Sequence, residues 1–119
     1  MLTFTLPYLP PVEFSGNYRG HWTARYKAGE KVKNDVIALI REQEWSGPPL
    51  GTAIVTVAWG LPDRRRRDWD NLFASTKPIL DGLKAAGVIK DDSVRDISPV
   101  LIWYYSPGKP ECRVTIEQR

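Results

Sequence analysis

One cysteine and one histidine are all that 119 residues offer of the usual soft metal ligands. Cys112 alone excludes an internal disulfide and any zinc site built on cysteines. It lies in an alternating apolar run and reads as a small buried filler. His21 sits beside Trp22 with no nucleophile motif around it, so packing or a phosphate contact suits it better than catalysis. Long apolar runs are also missing, and none reaches membrane-spanning length. The opening Met1-Leu2-Thr3-Phe4 shows neither a charged leader nor a long apolar core. The expectation is a cytoplasmic protein with no signal peptide and no membrane partner. Internal repeats, low-complexity runs and linkers are absent as well, and the length suits one domain, residues 1–119, with one core.

What is present is charge, arranged unevenly. Lys and Arg number 17 against 14 Asp and Glu, a net +3 that is too mild to name a partner by itself. Clustering says more. Arg19, Arg25, Lys27, Lys31 and Lys33 face only Glu30 in their segment, and Arg64, Arg65, Arg66 and Arg67 form a second focus. Patches of this kind attract phosphate backbones without sequence preference, by releasing counterions. Ordinary solubilising side chains would look the same.

The periodicities predict an α+β chain with about four strands in one mixed sheet and two main helices. Leu2, Phe4 and Leu6 alternate with Thr3 and Thr5, a short strand. Pro7, Pro10 and Pro11 then enforce an irregular path that Ser15-Gly16-Asn17 continues. From about Thr23 to Glu44, Val32, Val36, Leu39 and Ile40 mark one face of a helix, ended by Gly47-Pro48-Pro49. Thr52 to Trp59 is β-branched on both alternations, as expected of a central strand covered on both faces. A second helix comes next, capped by Asp68 or Asp70 and buried through Leu72, Thr76, Ile79, Leu80 and Leu83. Pro78 inside it predicts a kink or two short pieces, and Gly87 a C-terminal cap. Val94 to Tyr105 and Cys112 to Gln118 complete the strands, joined through Ser106-Pro107-Gly108.

The chemistry concentrates around Leu61 to Leu72. Asp68 and Asp70 are spaced i, i+2 where a strand gives way to a helix, so their carboxylates can share a hard cation such as Mg²⁺. The four arginines beside them suit a phosphodiester, because forked guanidinium donors match phosphate oxygens. Aspartates that merely neutralise those arginines on a wet loop remain an alternative. Asp91-Asp92 lies about twenty residues later, beyond a helix of about 24 Å. The two acidic pairs meet only if Pro78 breaks the helix, if the 87–90 segment folds back, or if a second subunit contributes. Lys77 falls on the Asp70 side of the helix, two turns on, where it could neutralise charge on a cleaved phosphate. A simple Lys77–Asp81 pair at i, i+4 is the alternative. Trp22 and Trp69 read as core residues by default, with packing on, or wedging at, unstacked nucleic acid as the alternative.

LPDRRRRDWDNL followed by KPILDGLKAAGVIKDDS resembles the RusA family of Holliday-junction resolvases, and the likeness extends to the N-terminal LPYLPP and SGNYRGHW. The resemblance implies a small homodimeric, Mg²⁺-dependent endonuclease (with Mn²⁺ as a possible substitute) that cuts four-way DNA junctions. Such proteins commonly come from phages and prophages. Carried over by position, Asp68, Asp70 and Asp92 are the catalytic, metal-holding acids, with Asp91 beside them. Arg64 to Arg67, with Arg19, Arg25 and Lys27, would grip DNA. The family lysine falls four residues after the second aspartate, where this chain has Ala74; Lys77 comes three residues later, on a similar helical face. Rival readings are a non-catalytic branched-DNA-binding protein, a metal-dependent nuclease for flaps, forks or RNA, and an interaction domain.

Overall fold

The computed structural model describes residues 1–9, 11–14 and 19–119. Pro10 and the Ser15-Gly16-Asn17 stretch of the irregular path lie outside the described residues. The elements run β1 (Leu2–Leu6), a single 3₁₀ turn (Val12–Phe14), α1 (Trp22–Glu42), β2 (Ala53–Leu61), α2 (Trp69–Ala85), β3 (Ile97–Tyr105) and β4 (Glu111–Gln118). One four-stranded sheet has the order β1-β4-β2-β3. Its β2–β3 pair is parallel, joined through α2, and the other pairs are antiparallel, so the sheet is mixed. This is the α+β architecture that the periodicities predict. Among the described residues no helix is long and apolar enough to cross a membrane.

The core follows from alternation. Leu2, Phe4 and Leu6 of β1, Val55, Val57 and Trp59 of β2, and Cys112, Val114 and Ile116 of β4 are buried on one sheet face. Val32, Val36 and Ile40 of α1 and Leu72, Ile79 and Leu83 of α2 join them in one cluster. Ile54 and Thr56, which point the other way from β2, are only half-buried. Ala58 and Gly60 on that same face are buried, so the central strand β2 is covered on both faces toward its C-terminal end and on one face toward its start. Burial pushes the Cys112 thiol well above its ordinary pKa, as suits an inert filler.

α2 runs unbroken through Pro78, so the alternative of two short pieces is overturned. Proline cannot donate to the carbonyl four residues back, so the Ala74 carbonyl lacks its in-helix partner. The Pro78 ring is buried, and packing holds the helix through the defect. Gly82 sets how α2 meets α1. A Cβ there would come within 2.8 Å of the Val36 side chain and 3.0 Å of the Lys33 carbonyl. Only a glycine lets the two helices approach this closely. The C-terminus of α2 closes with Gly87 at φ 80°. Its N–H donates to the Lys84 carbonyl at 3.1 Å, and the Val88 N–H to the Leu83 carbonyl at 3.0 Å. That bonding satisfies carbonyls a helix end otherwise leaves unpaired, with Val88 and Leu83 both fully buried.

Candidate active site

The strand-to-helix junction places the arginine run and the first acids. Leu61 ends β2, and its carbonyl accepts from the Ser106 N–H at 2.8 Å, while the Pro62 carbonyl accepts from Gly108 at 3.1 Å. These bonds tie the loop to the β3–β4 turn. Asp63 organises the arginine run after it. Its carboxylate accepts from the Arg65 backbone N–H at 2.9 Å and from the Arg67 guanidinium at 2.8 Å. The Arg67 hydrogen bond, first, and the Arg65 N–H hold the Asp63 carboxyl below the usual carboxylate range. Arg67 is thus a brace for the loop. Arg64 lies over the Tyr105 ring, 4.4 Å from its centroid. Arg65 and Arg66 are exposed, and Arg66 reaches Asp68 at only 3.4 Å.

Asp68 is the residue before α2, with extended backbone angles, but its carboxylate makes no capping bond. Asp70 occupies the first turn and is exposed. Both acids stand at the positive end of the helix dipole, a placement worth about 0.3–1 kcal/mol to an anion. Neither is consumed by a cap, so both remain available as oxygen donors.

Asp91 and Asp92 come back to the flank of α2 because the segment after it folds back. The Leu50 N–H donates to the Val88 carbonyl at 2.9 Å and the Lys90 N–H to the Leu50 carbonyl at 3.3 Å, a short parallel bridge around Ile89. From there Asp92 meets Lys77 at 2.5 Å, and Asp91 meets Lys84 at 3.1 Å. The 87–90 segment does fold back, but it sets Asp91 and Asp92 against Lys84 and Lys77 and not into one group with Asp68 and Asp70. Lys77 also reaches Asp81 at 2.8 Å, so the i, i+4 pair and the contact with the distant acid coexist. The hydrogen bonds to Asp81 and then Asp92 raise the Lys77 ammonium above the usual lysine range. It stays charged throughout the neutral and mildly alkaline range. The hydrogen bond from Lys84, and next the Asp92 N–H, lower the Asp91 carboxyl.

Asp68 and Asp70 thus sit at one end of α2 beside the arginine loop, and Asp92 is held by Lys77, whose backbone lies two turns on, about 10 Å from that of Asp70 by the helical rise. Among the described residues no group of three or more histidine, cysteine, aspartate or glutamate side chains is arranged to hold a metal. The donor set itself is all carboxylate oxygen, which suits a hard cation, and Asp92 at present has the Lys77 ammonium as its counter-charge.

The second basic focus lies at the start of α1. His21 caps that helix, its Nδ1 accepting from the Thr23 N–H at 3.2 Å. Arg19, Arg25 and Lys27 are exposed there. Lys31 belongs elsewhere: it pairs with Asp35 at 2.7 Å and lies over the Tyr8 ring. Trp22 and Trp69, core residues by default expectation, are exposed instead, Trp22 by 70%. The Lys77–Asp81 pair was expected outright, whereas Asp63 was visible only as a member of its run. Spacing at i, i+4 to Arg67 was the signal for Asp63.

No protein-family model matches the chain. An uncharacterized protein of Xylella fastidiosa (strain Temecula1) is 35% identical over 94 residues, which is 76% of this chain but only 61% of that protein. The chain therefore spans less than two thirds of that relative's length. The crossover junction endodeoxyribonuclease rusA of Enterobacteria phage HK97 is 32% identical over 105 residues, covering 88% of this chain and 85% of the phage protein. The aligned span is long enough on both sides to take in both helices and most of the sheet. This chain belongs to the RusA family.

Proposed function

We propose that the protein is a Mg²⁺-dependent endonuclease that hydrolyses phosphodiesters in branched DNA, four-way junctions foremost, through paired cuts by a homodimer. One observation carries the reading. Asp68 and Asp70, left free of capping bonds, stand between an arginine loop and the Lys77–Asp92 pair, in a chain similar to a crossover junction endodeoxyribonuclease over most of its length.

Asp68 and Asp70 at the start of α2, and Asp92 with Asp91 adjoining on its flank, would hold one or two ions, and Mn²⁺ offers the same hard-oxygen preference. When bound, such an ion lowers the pKa of an attacking water and stabilises charge on the phosphoryl oxygens. The chain supplies the rest. Asp63 and Arg67 fix the loop so that Arg65 and Arg66 present their guanidinium groups to the backbone without first being ordered. Lys77 holds Asp92 against the flank of α2 and keeps a positive charge beside the scissile region. The test is cleavage of a synthetic mobile junction beside linear duplex, flap and fork controls, with Mg²⁺ and with EDTA. Metal-dependent symmetric cuts in the junction are expected. Binding with no cut in any substrate would leave a non-catalytic binding protein.

Replacing both Arg65 and Arg66 with alanine is expected to weaken binding to every DNA shape and to flatten the salt dependence of affinity. Each lost phosphate contact lowers the slope of log K against log salt by about 0.9. A slope unchanged from the parent would mean these side chains point away from DNA.

A dimer needs a surface, and the β3 edge is suited to it. Val100, Ile102, Trp103 and Tyr105 are 41–50% exposed on an edge strand, with Trp69 and Phe73 of α2 alongside. An uncovered apolar edge invites uncontrolled association, and natural proteins cover or charge it. This one carries no charge from Ile97 to Tyr105. A second copy packed along this edge about a twofold axis would bury it and set two copies of α2 side by side. Sedimentation velocity is expected to give a dimer for the parent and a monomer for the double substitution Ile102→Lys, Trp103→Glu. A monomeric parent at micromolar concentration would sink the assignment.

A further inference from the structure

We propose that the groove between the first turns of α1 and the middle of α2 receives an unpaired nucleotide of the substrate, its base stacked on Trp22 and Tyr26. This rests on the nuclease reading and deepens it, because it supplies what a backbone grip cannot: a means to tell branched DNA from duplex.

Trp22 and Tyr26 stand one turn apart on α1, on the same side, and are 70% and 61% exposed. Large aromatics this bare serve nothing in the core. They form one wall of a groove of about 490 Å³, with Phe14 and Arg25 beside them and Ala74 and Lys77 opposite. That volume is within the range of small-molecule sites. Both rings are held in place before any ligand arrives. The Tyr26 hydroxyl donates to Glu30 at 2.9 Å. His21, fixed as the helix cap, lies against Trp22 with ring centroids 5.6 Å apart. An exposed ring that is already ordered loses little freedom when a base stacks on it.

The charges around the groove favour a nucleotide over an apolar peptide. Arg25, Lys33 and Lys77 line it, and its two acids are already engaged, Glu30 by Tyr26 and Asp81 by Lys77 at 2.8 Å. Lys77 joins the groove to the candidate active site, since the same ammonium holds Asp92. A base seated between the aromatics would bring its flanking phosphate toward that lysine. Bases paired within a duplex are stacked on their neighbours and must be extruded at a cost, whereas bases at a branch point are partly unstacked already. Base–aromatic stacking is tolerant of sequence, so the groove selects structure and not bases.

The test measures binding by fluorescence anisotropy in EDTA, where cleavage cannot interfere. The probes are a single-stranded oligonucleotide, the same strand carrying abasic sites, a four-way junction and linear duplex. Trp22→Ala and Tyr26→Ala should each weaken single-strand and junction binding by about tenfold. Affinity for duplex and for the abasic strand should stay within about twofold, and Trp22→Phe should retain most of the parent's preference. Because both side chains are exposed, melting temperatures should not move. Unchanged single-strand and junction affinity in both alanine variants, or equal losses for duplex and abasic strand, would overturn the proposal. Junction cleavage by the parent in Mg²⁺ is scored separately. Cleavage without the aromatic-dependent preference removes the groove and leaves the nuclease; preference without cleavage does the reverse.

Discussion

Asp70→Asn is expected to abolish junction cleavage and to leave junction binding intact or tighter. Asp70 is exposed in the first turn of α2, so the near-isosteric amide fits without disturbing the core. The fold loses only the favourable meeting of an anion with the helix dipole, about 0.3–1 kcal/mol. The site loses far more. An amide oxygen carries no net charge to hold a divalent cation or to favour a deprotonated water. Removing one oriented donor from a reacting centre already costs about 10²–10³-fold, and a lost metal-holding carboxylate should exceed that. Repulsion between the carboxylate and the phosphate backbone falls at the same time, which is why binding can tighten. Single-turnover cleavage in Mg²⁺ and gel shifts in EDTA measure the two properties separately. Loss of binding together with activity would show that Asp70 is structural.

Elements whose side chains meet the core through simple alternation were legible in the sequence. β1, β4 and the buried stripe of α1 come within a residue or two of their expected limits because each has one buried and one wet face. Packing decided what alternation could not. Pro78 stays inside a continuous helix because its ring is buried, a tertiary term that local rules omit. Gly82, which local propensity disfavours inside a helix, is a point where α1 closely approaches α2. The apolar run of β3 resembles a buried strand, yet it lies at the sheet edge and is largely exposed. Pro99 was the available signal, since proline within a sheet is confined to edges, strand starts and bulges. For the site, the acids and arginines were legible as residue types. The return of Asp92 to Lys77 was not, because it depends on the Leu50–Ile89 bridge between segments about forty residues apart. Trp22 looked like core for a related reason: apolar character gives a side chain's preference, and only the fold decides whether anything covers it.

Lys77→Ala is expected to slow cleavage by about 10²-fold or more, the scale of one transition-state charge contact, with little change in junction binding. Lys77 has the geometry for it. The ammonium sits between Asp81 and Asp92, on the flank of α2 that continues from Asp70, and its neighbours keep it charged. The same contacts permit a humbler role as a mere counter-ion. The side chain is 65% exposed, so the pair energies are screened, and removing it should cost the fold no more than about 1 kcal/mol. Two readouts separate the roles. As a counter-ion alone, its loss would free Asp92 and lower the Mg²⁺ concentration for half-maximal rate without lowering the maximal rate. As a participant at the reacting phosphate, its loss should lower the maximal rate even at saturating Mg²⁺. Ala74, at the position where the RusA family pattern carries its lysine, provides a further arm. Ala74 and Lys77 line the same groove. Ala74→Lys introduced into the Lys77→Ala protein should therefore restore part of the rate if a positive charge on this helical face is what the chemistry needs. A parent-like maximal rate in the Lys77→Ala protein would identify Lys77 as a surface lysine that only neutralises two acids.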